Sequence, residues 1–558
     1  MLFEAATEWN CPETFPDLSK AKYIAIDLET RDPDLKTRGS GAVIGNGEVI
    51  GIAVAIEGWS GYYPIAHREG NLDKRIVLDW FKEVCATDGV KIFHNAMYDV
   101  CWIRALGIPI NGHLVDTMVM ASLIDENRFS YTLNSIGYDY LREVKDEKGL
   151  KLAAEQAGVD AKSEMYKLPA MYVGAYAEKD AELTLQLFKT LSVEINKQNL
   201  TEVFDLETRL FPCLIDMKFK GVRVDNEKAH VLKKTLVSKE QTLLLDIKRE
   251  TGIEPQIWAA RSKGRIHADI NPIRSDQGGT VTGRFSYSNP NLQQIPARNK
   301  DLGPMIRGLF IPEENHLWGC FDYSQQEPRL VVHYAASTEP ICFDESVTKI
   351  VAQFKDNSVD FHQTVADMAG ISRSQAKTIN LGLFYGMGKA KLQAELGLST
   401  KQEAEQLFNQ YHENVPFVKD LMTRTSSHAQ GSGSIGTLLG RRCRFNKWEP
   451  DTFGMHTPMT YEEAELTYGR KRIKRAMTYK ALNKLIQGSA ADMTKKAMLD
   501  LYEEGIIPHI QIHDELDISV ESPEHAKKIV EIMENAVTLK VPNKVDYESG
   551  KSWGDIYG

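Results

Sequence analysis

The stretch Tyr23-Ile24-Ala25-Ile26-Asp27-Leu28-Glu29-Thr30 runs apolar and β-branched until two carboxylates interrupt it. That composition predicts a buried strand. Successive side chains of a strand point to opposite faces, so Asp27 and Glu29 share one face, where a buried strand ordinarily carries core residues. Two carboxylates there repel each other unless a cation lies between them. A strand end also carries Asp and Glu for turn chemistry, so the pair alone has a bland reading as well. Working outward, a loop rich in Gly and Asp leads to Val49–Ile56, a second strand expected to pair with the first. Arg75–Cys85 reads as a helix, Val90–Asn95 as a strand, and the chain from Ala96 to about Lys189 as mostly helical. This order predicts an α/β layer fold.

Asn95 and Asp99 fall where the third strand gives way to a helix, and Tyr176 and Asp180 are spaced i, i+4 on a predicted helix. Singly, Asn95 reads equally as a helix cap and Tyr176 with Asp180 as an exposed pair. Together, Asp27, Glu29, Asp99 and Asp180 supply what two Mg2+ ions need: hard oxygen ligands from separate elements, with positions left open for phosphate and water. The Tyr176 phenol could orient that water. The pattern D-x-E, N-x-x-Y-D, Y-x-x-x-D resembles the three motifs of the DEDDy family of 3′-5′ exonucleases, whose fold is ribonuclease-H-like. The resemblance covers about the first 190 residues and implies an intact proofreading activity, with Asn95 on the DNA.

The chain has 558 residues, room for roughly four units of about 150 residues. With 42% apolar and 26% charged residues and a mean hydropathy of -0.34, it is globular in composition, which excludes disordered, collagen-like and coiled-coil classes. Sixty-seven basic against seventy-seven acidic residues give a net charge of -10, so any nucleic-acid contact must come from local basic surface. Seven scattered cysteines without a C-x-x-C pair indicate neither a disulfide framework nor a zinc site and suit a reducing compartment. No leader-like amino terminus or membrane-length apolar run is present, so a cytoplasmic location is expected, that of the host cell for a phage-encoded protein.

In the second part, Asp205–Gly221 reads as an amphipathic helix ending at Gly, followed by a charged helical stretch to about Thr251. The run Thr282-Gly283-Arg284-Phe285-Ser286 through Ile295-Pro296 has too many aromatic and apolar interruptions for a plain linker. Leu317–Ser324 is apolar up to Asp322, which should end a buried strand, and Ile510–Val520 alternates about His513-Asp514 as a hairpin does. An acidic turn is usually just solvated, so Asp514 alone says little. Arg373, Lys377, Leu381 and Tyr385 recur every fourth residue and make one inclined stripe on a helix, cations at one end and an aromatic at the other. That stripe suits a triphosphate and a base. The basic run Arg470–Arg475 reads equally as a solvated face and as a phosphate contact.

The series T-G-R-F-S, N-P-N-L-Q-x-I-P, D-Y-S-x-x-E-x-R, R-x-x-x-K-x-x-N-x-G-x-x-Y-G, L-G-R-R, Q-G-x-A-A-D and H-D-E closely resembles the core of family A DNA polymerases across about residues 205 to 558. The resemblance implies a right-hand polymerase after the exonuclease: an exonuclease domain at 1–200, a shortened thumb at 201–270, palm at 271–340, fingers at 341–445 and palm again at 446–558. Phage enzymes lacking a 5′ nuclease domain share this layout. By resemblance, Asp322, Tyr323 and Asp514 hold two Mg2+ ions, with Mn2+ as a substitute, and Glu515 assists. Arg373, Lys377, Leu381, Tyr385, Arg298 and His513 then meet the nucleotide, and Lys377 neutralises the triphosphate. Glu327 blocks a ribose 2′-hydroxyl; Arg284, Gln487, Asn483 and Arg441 meet the DNA.

Three departures stand out. Leu381 replaces the family's usual Phe or Tyr, which predicts altered speed and dideoxynucleotide selection. Asp225–Thr282 is too short for the usual thumb, so DNA grip calls for a partner. The segment from Asn446 to Arg470 is added, with no role read for it. Expected partners are primer-template DNA, dNTPs and a processivity factor, helicase or primase, with the chain itself a monomer and no membrane contact. The leading expectation is a proofreading DNA polymerase in phage replication. A repair polymerase, and a nuclease on an inactive polymerase scaffold, are the alternatives.

Overall fold

In the computed structural model the quoted stretch is β1 (Tyr23–Arg31), the centre of a five-stranded sheet. The described residues are 7–238, 264–273, 280–296, 299, 301–337, 345–355, 360–384, 389–452, 454 and 456–556. On one side of β1 lie the antiparallel strands β2 (Glu48–Ile56) and β3 (Trp59–Pro64), and on the other the parallel strands β4 (Val90–Phe93) and β5 (Leu114–Asp116). Alternation along β1 decides what each face does. Ile24, Ile26 and Leu28 enter one apolar cluster with Val77 and Phe81 of α1 (Lys74–Ala86) and Trp102 of α2 (Ala96–Ala105). Ala25 enters another with residues of α3 (Gly174–Lys197), so Asp27 and Glu29 continue the face that looks toward α3. The β1–β2 register shifts between Glu29 and Thr30, a bulge at the end of the carboxylate pair that re-aims the strand there.

The helix α4 (Thr201–Lys220) follows. It ends at Gly221, whose φ of 59° and neighbouring His267 ring, 2.5 Å from where a Cβ would sit, leave no room for a larger residue. Leu206, Leu210, Phe211 and Leu214 of α4 share one buried cluster with Ile24, Ile26 and Leu28 of β1 and with Trp318, Phe321, Met498 and Leu501. Residues 201–220, expected to open the thumb, form a helix whose apolar stripe is buried in that core. Of the rest of that segment, 239–263 lie outside the described residues.

The second sheet has the order β7 (Ile510–Ile512), β8 (Glu515–Val520), β6 (Leu317–Tyr323), β9 (Val545–Gly550), all antiparallel. The helix Pro523–Asn535 packs on β8 and β9, and α7 (Ala481–Glu503) packs along both that helix and α4. Between β6 and α7 in sequence come α5 (Gln326–Ser337), α6 (Arg373–Phe384) and further helices around a third apolar cluster that includes Leu330, Phe361, Ile379 and Leu482. The added segment 446–470 contains a strand, Trp448–Pro450, paired with Ile473–Arg475, and a helix, Tyr461–Tyr468, capped by Thr460 and Glu463.

Four buried charged side chains tie α4 to α7. Glu207 accepts from Lys495 Nζ at 2.6 and 2.9 Å and from Arg441 at 2.6 Å, while Arg441 Nε donates to Asp492 at 2.8 Å. A second tie joins Arg444 to Glu126 at 2.7 Å. The six cysteines among the described residues are free thiols, and no helix there is long and apolar enough to cross a membrane.

Candidate active sites

At the first centre, oxygens of Asp27, Glu29 and Asp180 lie within 4.8 Å of one another. β1 supplies two of them and α3 the third. Burial and the charge of Asp180 push Asp27 up to about 7. Burial, then Asp27 and Asp180, push Glu29 well above the usual carboxylate range. Asp99 is raised by burial and then by Asp27. It stands slightly apart, its Oδ1 accepting from Leu28 N at 3.0 Å. Asn95 begins α2 with a φ of 73°, and its side chain makes no cap bond. The cap comes from Asp116, which accepts from the amides of Asn95 at 3.0 Å and Ala96 at 2.8 Å, so the exposed Asn95 amide group is left pointing outward.

A cation that sequence reading missed, Lys145, stands against the third carboxylate of this group. Its Nζ donates to Asp180 Oδ2 and to the Tyr176 hydroxyl, each at 2.7 Å, and lies 4.3 Å from the Tyr176 ring centroid. Thirty-five residues separate Lys145 from Asp180, and no local spacing marks it. One lysine against two buried carboxylates, Asp99 and Asp180, and two half-buried ones, Asp27 and Glu29, leaves the site short of positive charge. Asp180 Oδ1 is buried with no hydrogen-bond partner among the described residues. A buried, unpartnered carboxylate oxygen in an all-oxygen donor set fits a hard divalent cation.

At the second centre, β6 carries Asp322 next to its end, paired across the ladder with Glu515 on one side and Asp546 on the other. The turn between β7 and β8 brings Asp514 to the same end, held by a bond from Tyr323 N to Asp514 O at 3.3 Å. His513 occupies that turn with a φ of 56°. Burial, then the charges of Asp514, Glu515, Asp546 and Glu548, push Asp322 up to about 8. Asp514 is raised chiefly by burial. Here too negative charge is in excess, which fits a divalent cation.

Arg284, Gln487 and His513 line one cleft of about 570 Å³ together with Gln293 and Gln511. Arg284 donates to Glu327 at 2.8 Å, which fixes Glu327 in the first turn of α5 at the edge of that cleft. Arg373 and Lys377 are exposed on α6, with Arg373 Nε 2.5 Å from Asp360. Asn483 is half-buried at the start of α7, its Nδ2 without a partner among the described residues. Tyr385, Arg298 and the side chain of Leu381 lie outside the described residues.

One sequence-based assignment is corrected. Arg441, expected on DNA, is buried and its guanidinium is used up by Glu207 and Asp492. Tyr323, expected on metal, turns its side chain into the core, where the hydroxyl donates to Met533 O at 2.6 Å, so its main-chain carbonyl is the group left to meet an ion. Of the basic run, Arg470, Lys471, Arg472 and Lys480 are exposed, whereas Arg475 is internal, donating to Phe445 O at 3.0 Å and stacking on Trp448.

A sheet with paired carboxylates facing a Tyr-bearing helix, followed by an antiparallel sheet with acidic strand ends, gives one chain two separate carboxylate centres suited to divalent metal ions. Residues 179–555 match the profile of DNA polymerase family A and residues 6–196 that of a 3′-5′ exonuclease. The chain belongs to DNA polymerase family A and is a DNA-directed DNA polymerase with a 3′-5′ exonuclease domain. Domains of both kinds use divalent metal ions. It is 32% identical to the DNA-directed DNA polymerase of Pseudomonas phage M6 over 99% of this chain and 97% of that one. It is 26% identical to DNA polymerase DpoZ of Salmonella phage PMBT28 over 96% and 97%. With DNA polymerase I of Borreliella burgdorferi it is 25% identical over 99% of this chain and 64% of the other. The fold is that of the POL domain of Pol1 from M. smegmatis, solved in complex with DNA primer-template and dNTP: TM-score 0.71 at 20% identity, covering 97% of each chain.

Proposed function

We propose that this polymerase replicates a phage genome, adding dNTPs to a primer at Asp322 and Asp514 and removing mispaired 3′ ends at Asp27, Glu29, Asp99 and Asp180. The observation that carries this reading is electrostatic. Two separate carboxylate groups in one chain hold their acids near or above neutrality, with Asp27 at about 7 and Asp322 at about 8, and each is short of positive charge. Mg2+, or Mn2+ in its place, bound two to a centre, would supply that charge and activate the attacking oxygen.

The chain's own residues do the rest. At the exonuclease centre Lys145 fixes the Tyr176 hydroxyl, so the phenol is aimed at the attacking water, and Asn95 projects outward to meet the strand. At the polymerase centre Glu515 adds to the field around Asp322, and Arg373 and Lys377 offer positive charge to a triphosphate. Arg284 and Gln487 present donors in a shared cleft, where minor-groove acceptors are alike for A·T and T·A pairs, so the readout follows pair shape and not sequence. Glu327, held by Arg284, excludes the ribose 2′-hydroxyl.

The test is extension of a labelled primer on a DNA template with Mg2+, with and without dNTPs, by wild type, Asp322→Ala and Asp27→Ala. Full-length product lost in Asp322→Ala, and primer shortening lost in Asp27→Ala, is the expected result. Extension that survives in Asp322→Ala would overturn the assignment of the polymerase centre.

A further inference from the structure

One register pair inward from Asp322, the second sheet carries another group of ligand-type side chains. Alternation puts Asp322 and Cys320 on one face of β6, and the antiparallel ladder sets Glu515 against Asp322 and Asp517 against Cys320. One ligand atom from each of Cys320, Glu515 and Asp517 lies within 4.8 Å of the other two. Cys320 is 4% exposed and Asp517 is 0% exposed. The two Asp517 oxygens differ sharply. Oδ1 accepts from Trp318 Nε1 at 2.9 Å and from Cys320 Sγ at 2.8 Å, whereas Oδ2 is buried with no hydrogen-bond partner among the described residues. A carboxylate sunk in a core is costly, here with only the field of the Arg307 guanidinium acting against its burial and the charge of Glu515, and an apolar residue would fill the same place. The neighbours Leu516, Ile518 and Val520 do so on the other face.

We propose that Cys320, Glu515 and Asp517 form a binding site for a thiophilic divalent cation of the zinc class, distinct from the Asp322/Asp514 centre. A sulfur ligand beside two carboxylates selects zinc-like ions over magnesium, which demands an all-oxygen octahedron. Binding exchanges one proton for the metal: the Cys320 S–H bond breaks, the proton leaves to solvent, and the sulfur electron pair forms the bond to the cation. No oxidation or reduction is involved. Oδ2 of Asp517 supplies a second bond, and Oδ1 keeps the Trp318 N–H, which fixes the carboxylate plane. Glu515 supplies the third, leaving a fourth position for water. Glu515 also acts electrostatically on Asp322, so an ion in the inner site draws that charge away from the polymerase centre. This last link rests on the polymerase reading above; the binding itself does not.

Co2+ serves as the probe. Full-length protein stripped by chelator and held in excess Mg2+ is titrated with Co2+, and the sulfur-to-cobalt charge-transfer band in the near ultraviolet is followed. The wild type should develop the band with one equivalent. Cys320→Ser should lose it, and Asp517→Asn should weaken binding at least tenfold, with circular dichroism and exonuclease activity unchanged in both. No band in the wild type, or an undiminished band in Cys320→Ser, would overturn the site, the latter by assigning the sulfur to another of the seven cysteines. Separately, Zn2+ should slow primer extension by the wild type and not by Cys320→Ser, and spare exonuclease activity in both. A cysteine-dependent band with extension insensitive to Zn2+ would overturn the link to the polymerase centre while supporting the ion site.

Discussion

Replacing Lys145 with Met removes the one cation that is hydrogen-bonded to Asp180 among the described residues. The Lys145 and Asp180 side chains are 11% and 7% exposed, so the pair is buried. Breaking such a pair costs about 3–5 kcal/mol, because the remaining carboxylate is left uncompensated in a poorly solvated place. The cost has conditions that identify its origin. A divalent cation among Asp27, Glu29 and Asp180 supplies the charge that Lys145 supplied, so the loss belongs to the metal-free protein. It also fades as pH falls, because burial already raises Asp180 and Lys145 opposes that rise; without the lysine Asp180 takes up its proton more readily and needs no partner. With an unfolding slope of about 3 kcal/mol per molar urea, the midpoint should drop by about 1 M or more in chelator at pH 8. In saturating Mg2+, or near pH 5, the drop should be much smaller. Urea unfolding followed by tryptophan fluorescence reads this directly. An equal drop with and without metal would refute the reasoning and make Lys145 an ordinary packing residue. Exonuclease activity should also fall, by roughly 10- to 100-fold, since the Tyr176 hydroxyl loses its orienting bond.

Glu207→Leu should destabilise the chain by about 3–5 kcal/mol, and Glu207→Leu with Lys495→Met should recover most of it, since Arg441 keeps Asp492; a double variant no better than the single one would show that burial of the Lys495 charge is not the cause. Asp27 and Asp322 have folded values of about 7 and about 8 against 3.8 in an unperturbed aspartate. Both hold protons in the folded state that the unfolded chain has released, so metal-free stability should fall as pH rises from about 4 to 8, and Mg2+ should flatten that fall; melting temperatures measured across pH in chelator and in Mg2+ check the sign. Calorimetry of Mg2+ binding near pH 7 in buffers of different ionisation heat should detect proton release, and no dependence on buffer would count against the raised carboxylates. Asp99→Asn should lower exonuclease activity by about 10²–10³-fold while leaving extension unaffected, measured on single-stranded and primed templates respectively.

The clustering of Asp27, Glu29 and Asp180 was legible because its signals are local: a two-residue spacing on a strand and a four-residue spacing on a helix each place two groups on one face. Asp322 was legible as the acid that ends an apolar run, and Asp514 as the acid in a hairpin turn. Lys145 was not, because only the tertiary fold carries it across thirty-five residues to Asp180. Arg441 misled for a related reason. A basic L-G-R-R run looks like a DNA contact until Glu207, 234 residues away, and Asp492 are seen to enclose it. The bland reading of Asn95 as a cap failed because Asp116, from β5, had taken the role. What covers the helix 201–220 was not legible, because an amphipathic pattern reveals a buried stripe and not the neighbours that bury it.

The helix Thr201–Lys220 belongs at once to the core beneath the carboxylate-bearing strand and to the core beneath the polymerase sheet, and buried charges fasten it at Glu207. Editing is therefore a journey made by the nucleic acid. The last nucleotide must unpair and travel, and whether it does so before the next one is added is a race set by how easily the duplex end frays. A mispaired end unstacks at lower cost than a paired one. Error selection can then arise from the DNA itself, with the protein needing only to keep the two stations at a constant separation.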